Sequence, residues 1–200
     1  MQSSLTIEPV GLIPIGSAIW DDFEKNKQKI IDFCLSQEKP NVIESGIGTP
    51  IKGNLWESKF DFLNNTEMSE LNSWCYTTIT AFTSRVNKIN QNIAITESWC
   101  HVTNPGGWHG PHRHPWSAWS GIFYVSADDE ENGYNTFHNF FDLPKIPGYE
   151  FWEETFKIPF KPGQLVIFPS TMLHYATPYL GNDKRIVIAL NSIVIRQKQA

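Results

Sequence analysis

The sequence predicts an α+β protein: two helices precede an all-β core, which is an antiparallel barrel or a double-sheet jelly roll. Three observations lead there. Before about residue 91, apolar residues recur every three or four positions; from residue 92 the period drops to two. After that change no helical pattern returns, and short strand-like runs follow one another, divided by turn residues. The 200 residues suit one domain with a sizeable core. Within that domain 1–91 reads as the helical part and 92–195 as the β core.

Taken in order, residues 5–15 are apolar but broken by Pro9, Gly11 and Pro14, which suits an edge strand or a strap across the body. Such a strap could also pair with a second copy of the chain in a homodimer. Residues 17–36 read as a helix whose stripe of Trp20, Phe23, Ile30, Ile31 and Cys34 is interrupted by Lys27, with Pro40 beyond its end. Residues 41–65 hold Gly46, Gly48, Pro50, Gly53 and the pair Asn64-Asn65, and read as loop with room for one short strand. The clearest helix follows. Met68, Leu71, Cys75, Ile79, Phe82, Val86 and Ile89 form one continuous apolar stripe. Thr66 is its expected N-cap, with Glu67 and Glu70 in the first turn and Arg85 and Lys88 in the last. This helix reads as a buttress without chemistry of its own.

Strands are expected from residue 92 towards His101, then at 120–126, 134–141, 155–160, 164–169 and 185–195, with a turn at Pro162-Gly163. Residues 127–155 contain an acidic tip followed by an aromatic, proline-punctuated run. The tip reads as a solvated turn, and the run as a lid or substrate-facing loop.

Composition removes several classes of function. A net charge of −5 without a basic cluster argues against nucleic acid. No apolar run reaches the roughly eighteen residues of a membrane span. The N-terminus lacks the basic and cleavage-site features of a signal peptide. Cys34, Cys75 and Cys100 are scattered without ligand spacing and read as reduced core residues of a cytoplasmic protein.

The histidines are distributed unevenly. Of six, none lies in the first hundred residues and four (His101, His109, His112 and His114) fall between 101 and 114. A lone histidine is ordinarily a core or surface residue, so His101, His109 and His138 read as bystanders or pocket lining. His112 and His114 differ: alternation puts both imidazoles on one face, in a stiff loop of Gly110, Pro111 and Pro115 leading into a strand. His174 follows the strand Leu165–Pro169 and could be brought back to them across a jelly roll. Three imidazoles suit iron, zinc, copper or nickel, so ligand type alone does not choose the metal. Arg185 opens the last apolar strand and needs an anionic partner there. That partner is either Asp183 or the acidic tip, or the carboxylate of a small cosubstrate held by the guanidinium fork.

The order PHRHP, SGIFYV, PGQLVIFPSTMLH and RIVIALN resembles the Fe(II)/2-oxoglutarate-dependent oxygenases. Within them it is most similar to a group of oxygenases from marine bacteria and their phages. The resemblance covers residues 92–195 and implies a double-stranded β-helix. It also implies Fe(II) as metal, 2-oxoglutarate as cosubstrate, and oxidative decarboxylation coupled to substrate oxidation by molecular oxygen, typically a hydroxylation. His112 and His174 match its histidine ligands, Arg185 its carboxylate-binding base, and Tyr124 a strand tyrosine that contacts the same carboxylate. His114 stands where the family usually has an acidic ligand and is taken as the third metal ligand.

Two other readings remain open at this level. A cupin-type metalloenzyme shares the architecture, but its motif needs a Glu where Ala118 or Trp119 stands. A jelly-roll binding module without catalysis would use the aromatic residues as a ligand patch. Trp108, Trp116, Trp119, Phe137, Phe140, Phe141 and Trp152 are the aromatics available to line a cleft for a small molecule or a peptide.

Overall fold

The computed structural model describes residues 13–39, 52–128, 134–139 and 154–195. The expected strap over 5–12, Pro40, the glycines at 46 and 48, the acidic tip after Asp128, and Phe140, Phe141 and Trp152 lie outside those residues. In chain order the elements are β1 (Gly16–Ile19), α1 (Phe23–Gln37), β2 (Lys52–Glu57), α2 (Ser69–Asn87), β3 (Asn92–His112), β4 (Trp119–Ser126), β5 (Asn135–His138), β6 (Thr155–Ile158), β7 (Gln164–Pro169), β8 (His174–Ala176) and β9 (Arg185–Ile195). The strands form one curled antiparallel sheet in the order β1-β7-β4-β9-β3-β8-β5-β6, with β2 on β3.

Alternation along the central strands makes two cores. On β4, Phe123 and Val125 face the helices, where Phe23 and Ile30 of α1 and Leu71, Cys75 and Ile79 of α2 bury their stripes. Ile122 and Tyr124 face the opposite way, into the concave side, with Phe137, Val166, Phe168 and Val187. Phe123 has no exposed surface and meets Phe23, Trp74 and Trp20 edge-on at 5.7, 5.9 and 6.2 Å. Truncating it to Ala would cost about 3–5 kcal/mol through lost contacts and the cavity left behind. The three cysteines are free and buried, as their scatter suggested. Among the described residues no helix is long and apolar enough to cross a membrane.

Several boundaries differ from expectation, each for a tertiary reason. Residues 17–19 are not helical: they belong to β1, which pairs Gly16 with Ile167 through Ile19 with Gln164. A Cβ on Gly16 would stand 2.6 Å from the Phe82 ring, so glycine is what lets this edge strand lie on α2. The helix waits until Phe23. The gap that Lys27 left in its stripe is closed by Asn26, which is buried and donates to the Asp22 carbonyl (3.1 Å) and Glu70 Oε2 (3.3 Å).

Thr66 is not a cap. It opens a single 3-10 turn, Thr66–Met68, and α2 begins at Ser69 without a side-chain cap. The preceding chain is positioned instead by buried Phe62 and Leu63, with Leu63 N–H donating to Ser98 Oγ at 2.8 Å. At the other end Lys88 adopts φ 56°, terminating the helix and leaving Ile89 58% exposed rather than in the stripe. The short strand allowed within 41–65 is β2, whereas β8 was not foreseen. The strands expected at 134–141 and 155–160 are shorter: β5 ends at His138 and β6 at Ile158. The turn at Pro162-Gly163 is present, with Gly163 at φ 80° and packed so closely on Phe23 that a Cβ would lie 2.7 Å from its ring.

The strand expected to end near His101 runs to His112, 21 residues in all. It does so by changing partners: β9 pairs with Asn92 to Thr103, β2 with His101 to His109, and β8 with His109 and His112. Gly106, at φ 76°, absorbs the irregularity midway. One strand thereby reaches from the helical side of the sheet to the histidine cluster.

Candidate metal centre

His112 ends β3 and stands directly across the ladder from His174, the first residue of β8, so both rings project to the same face. His114 lies two residues further on, its N–H fixed to the Ser170 carbonyl at 2.8 Å. The three histidines offer one nitrogen each, all within 4.8 Å of one another. Nδ1 of His112 lies 2.8 Å from the Gly110 carbonyl and Nδ1 of His174 3.0 Å from the Met172 carbonyl. A carbonyl only accepts, so both rings carry their proton on Nδ1 and turn a lone pair outward on Nε2. Burial holds His174 well below the usual histidine range, and neighbouring His112, His114 and His101 push the same way, against the Met172 hydrogen bond. Its imidazole is therefore neutral, the form that ligates. This donor set fits a first-row divalent metal.

The remaining histidines of the stretch are in the cavity wall rather than in the cluster. His109 stacks on His112 with centroids 3.9 Å apart and planes at 16°. His101 lies 5.3 Å from His109 and is gripped by the Glu57 carboxylate, 2.6 Å from its Nε2, with Trp99 Nε1 3.0 Å from the same nitrogen. The Trp99 ring in turn sits 5.4 Å from His114. Glu57, in a segment read largely as loop, was not anticipated; only its place opposite His101 in the β2–β3 ladder reveals it. His138 packs instead on Tyr175, at 5.6 Å.

Arg185 lines the same cavity and is 3% exposed. Its Nη2 donates to Asn135 Oδ1 at 2.8 Å, and the Tyr124 hydroxyl donates to that same oxygen at 3.3 Å. Burial lowers the Arg185 pKa, against the pull of Tyr124 and Tyr179, yet a guanidinium stays charged in proteins. Tyr124 is pushed up to about 12 by burial, with Arg185 and Asn135 opposing, so it is a neutral phenol. Asn135 lines the cavity, while Tyr124 is placed behind it, in the inner core against Phe160. Sequence reasoning found Arg185 and Tyr124 but missed the residue that joins them.

Neither suggested acidic partner within the described residues is turned to that task. Asp183 Oδ1 accepts the Lys184 N–H at 2.7 Å. Asp128 accepts from the Tyr179 hydroxyl and from the N–H groups of Asn182 (2.7 Å) and Asp183 (3.1 Å), shaping the turn that leads into β9. The Tyr179 hydrogen bond is also the main reason that its carboxyl lies below the usual range. Of the aromatics offered as cleft lining, Trp119 and Phe137 are core, and Trp116 is 92% exposed beside His114.

The family described as "Putative 2OG-Fe(II) oxygenase" matches residues 97–191, a span that includes both histidine motifs, Tyr124, Asn135 and Arg185. Over that span the chain is similar to the Fe(II)/2-oxoglutarate-dependent oxygenases. Enzymes of that kind are oxidoreductases that use Fe(II), 2-oxoglutarate and molecular oxygen on an organic substrate. The match favours the oxygenase reading over the cupin and binding-module readings.

Solved structures share this fold at low identity. The epimerase SnoN from nogalamycin biosynthesis is 12% identical, with 90% of this chain and 78% of that one covered and a TM-score of 0.64. A Pseudomonas putida prolyl-4-hydroxylase is 12% identical over 92% and 94% of the two chains, TM-score 0.59. The viral collagen prolyl hydroxylase of Paramecium Bursaria Chlorella virus-1 is 14% identical over 89% and 94%, TM-score 0.58. These likenesses establish the jelly-roll architecture. Among curated protein sequences, none matches this chain.

Proposed function

We propose that the protein is an Fe(II)/2-oxoglutarate-dependent oxygenase, a hydroxylase whose Fe(II) is held by Nε2 of His112 and His174 together with His114, and whose 2-oxoglutarate is held by Arg185 with Tyr124 behind it. The observation that carries this reading is the convergence of three imidazole nitrogens within 4.8 Å in a cavity that also contains a buried guanidinium. When bound, the iron couples oxidative decarboxylation of 2-oxoglutarate, giving succinate and carbon dioxide, to oxidation of a substrate C–H bond.

The residues of the chain prepare the site for this. The Gly110 and Met172 carbonyls fix the rings of His112 and His174, so little reorganisation remains when metal arrives. His114 brings no negative charge where a carboxylate is usual, which leaves the centre more positive and favours an anionic cosubstrate. Arg185 matches one end of a dicarboxylate by its fork of donors. Ile122, Phe168 and Val187 supply apolar wall that excludes water around that ion pair and strengthens it.

For the substrate we favour a peptide side chain or a small metabolite, since proteins of similar fold include both prolyl hydroxylases and an epimerase from nogalamycin biosynthesis. The same reading takes 1–200 as a single domain in the cytoplasm that can form a homodimer. The decisive experiment loads the protein with Fe(II) and 2-oxoglutarate, records the weak visible charge-transfer band of the chelate, and follows succinate release with candidate peptides and metabolites. Absence of the band, together with no thermal stabilisation by 2-oxoglutarate in the presence of Mn(II), would overturn the reading.

A further inference from the structure

We infer that Asn135 is the residue that reads the far carboxylate of the cosubstrate, with the Thr103 hydroxyl as its second donor, and that Tyr124 acts only through Asn135 as a positioning residue. The inference rests on the cosubstrate reading above and assigns roles within it. Both hydrogen bonds of Asn135 fall on one atom, Oδ1, which accepts from Arg185 Nη2 and from the Tyr124 hydroxyl. Two donors on one side settle which way the amide faces: the oxygen meets them and the Nδ2–H2 group is directed away. Asn135 is buried yet lines the cavity, so these N–H donors belong to the wall that a ligand of Arg185 would touch.

Thr103 gives an independent observation. It stands directly opposite Arg185 in the β3–β9 ladder, so both side chains share a face. It is 2% exposed, and its hydroxyl has no hydrogen-bond partner. A buried hydroxyl left unpaired is costly, and its place beside a guanidinium identifies an anion as the group that would satisfy it. The amide and guanidinium N–H groups present only donors to the cavity, and the Thr103 hydroxyl opposite Arg185 can add one more, a set better suited to a carboxylate than to a carboxamide or an alkyl terminus.

The test exploits the shape identity of Asn and Asp. N135D keeps an oxygen to accept from Arg185 and Tyr124, but replaces the amide donors by a second acceptor. The ligands are N-oxalylglycine, an unreactive dicarboxylate analogue of 2-oxoglutarate, and N-oxalylglycinamide, with the far carboxylate changed to a carboxamide. Dissociation constants are measured calorimetrically on the full chain with Mn(II). Wild type should prefer the diacid by at least about tenfold, the value of one charge-assisted hydrogen bond. N135D should bind the diacid at least about tenfold more weakly and the carboxamide more tightly than wild type does. T103V, nearly isosteric, should lose roughly tenfold for the diacid, whereas Y124F should lose less than about threefold.

A residue that merely steadies Arg185 would not improve carboxamide binding when changed to Asp. Diacid affinity in N135D within about threefold of wild type, or no gain for the carboxamide, would overturn the inference alone. Wild type that retains Mn(II) yet binds no diacid would overturn the cosubstrate reading as well.

Discussion

Replacing Arg185 by Met separates the cost of carrying a buried charge from its use. The guanidinium is 3% exposed, and burial already disfavours its charged form. Met fills most of the vacated volume, so the apo variant should stay folded. Oδ1 of Asn135 keeps the Tyr124 hydroxyl as a donor, so no buried acceptor is stranded there. Ligand binding, by contrast, should weaken. A carboxylate seated against Met would lose its charge partner, at a cost of about 3 kcal/mol, or roughly 150-fold in affinity. The assay is thermal denaturation with Mn(II) and 2-oxoglutarate at about one hundred times the wild-type Kd. Ligand stabilisation of about 2.7 kcal/mol in wild type should shrink to about 0.3 in the variant. Metal content should not change. A variant stabilised by 2-oxoglutarate as strongly as wild type would refute the argument that the buried cation exists for an anionic ligand.

The other expectations concern the metal ligands and a buried phenol. His174→Ala should purify with less than about a tenth of the wild-type iron, measured by elemental analysis, because second- and first-sphere changes at such sites cost tenfold to hundredfold in affinity; unchanged iron would remove His174 from the ligand set. His114→Asp should retain or tighten Fe(II) binding if His114 occupies a ligand position that tolerates a carboxylate, and a collapse of affinity would show instead that an imidazole is required there. Tyr124 should make stability fall at high pH. Its pKa rises from 10.0 in the unfolded chain to about 12 in the fold, so across that window the unfolded state releases a proton that the native state keeps. The difference between wild type and Y124F should therefore change by up to roughly 3 kcal/mol between pH 10 and 12. Parallel urea midpoints for the two proteins over that range would contradict it.

The parts of this molecule legible in its sequence are those governed by local periodicity. The stripe from Leu71 to Ile79 on α2 and the alternation of Ile122, Phe123, Tyr124 and Val125 on β4 each follow from one side chain's relation to its near neighbours. The His112–His114 spacing and the charge of Arg185 at the mouth of an apolar strand were visible for the same reason. Features made by long-range pairing were not. Residues Gly16–Ile19 carry no strong strand pattern and become a strand only against β7. Asn135 follows an acidic run of sequence and looks like any polar strand residue until Arg185, fifty residues later, reaches its oxygen. Glu57 likewise acquires meaning from His101 across the ladder. Tyr124 shares the inward face of Ile122, but alternation says nothing of depth: it is packed in the inner core, while Asn135 lines the cavity.

β3 bears on both halves of the site. Thr103 near its middle faces Arg185, and His112 at its end faces His174. The two walls are therefore parts of one backbone, and settling that strand for the iron leaves less motion to be quenched when the diacid arrives. Such an arrangement favours positive heterotropic coupling between metal and diacid, and linkage requires each to tighten the other by the same factor.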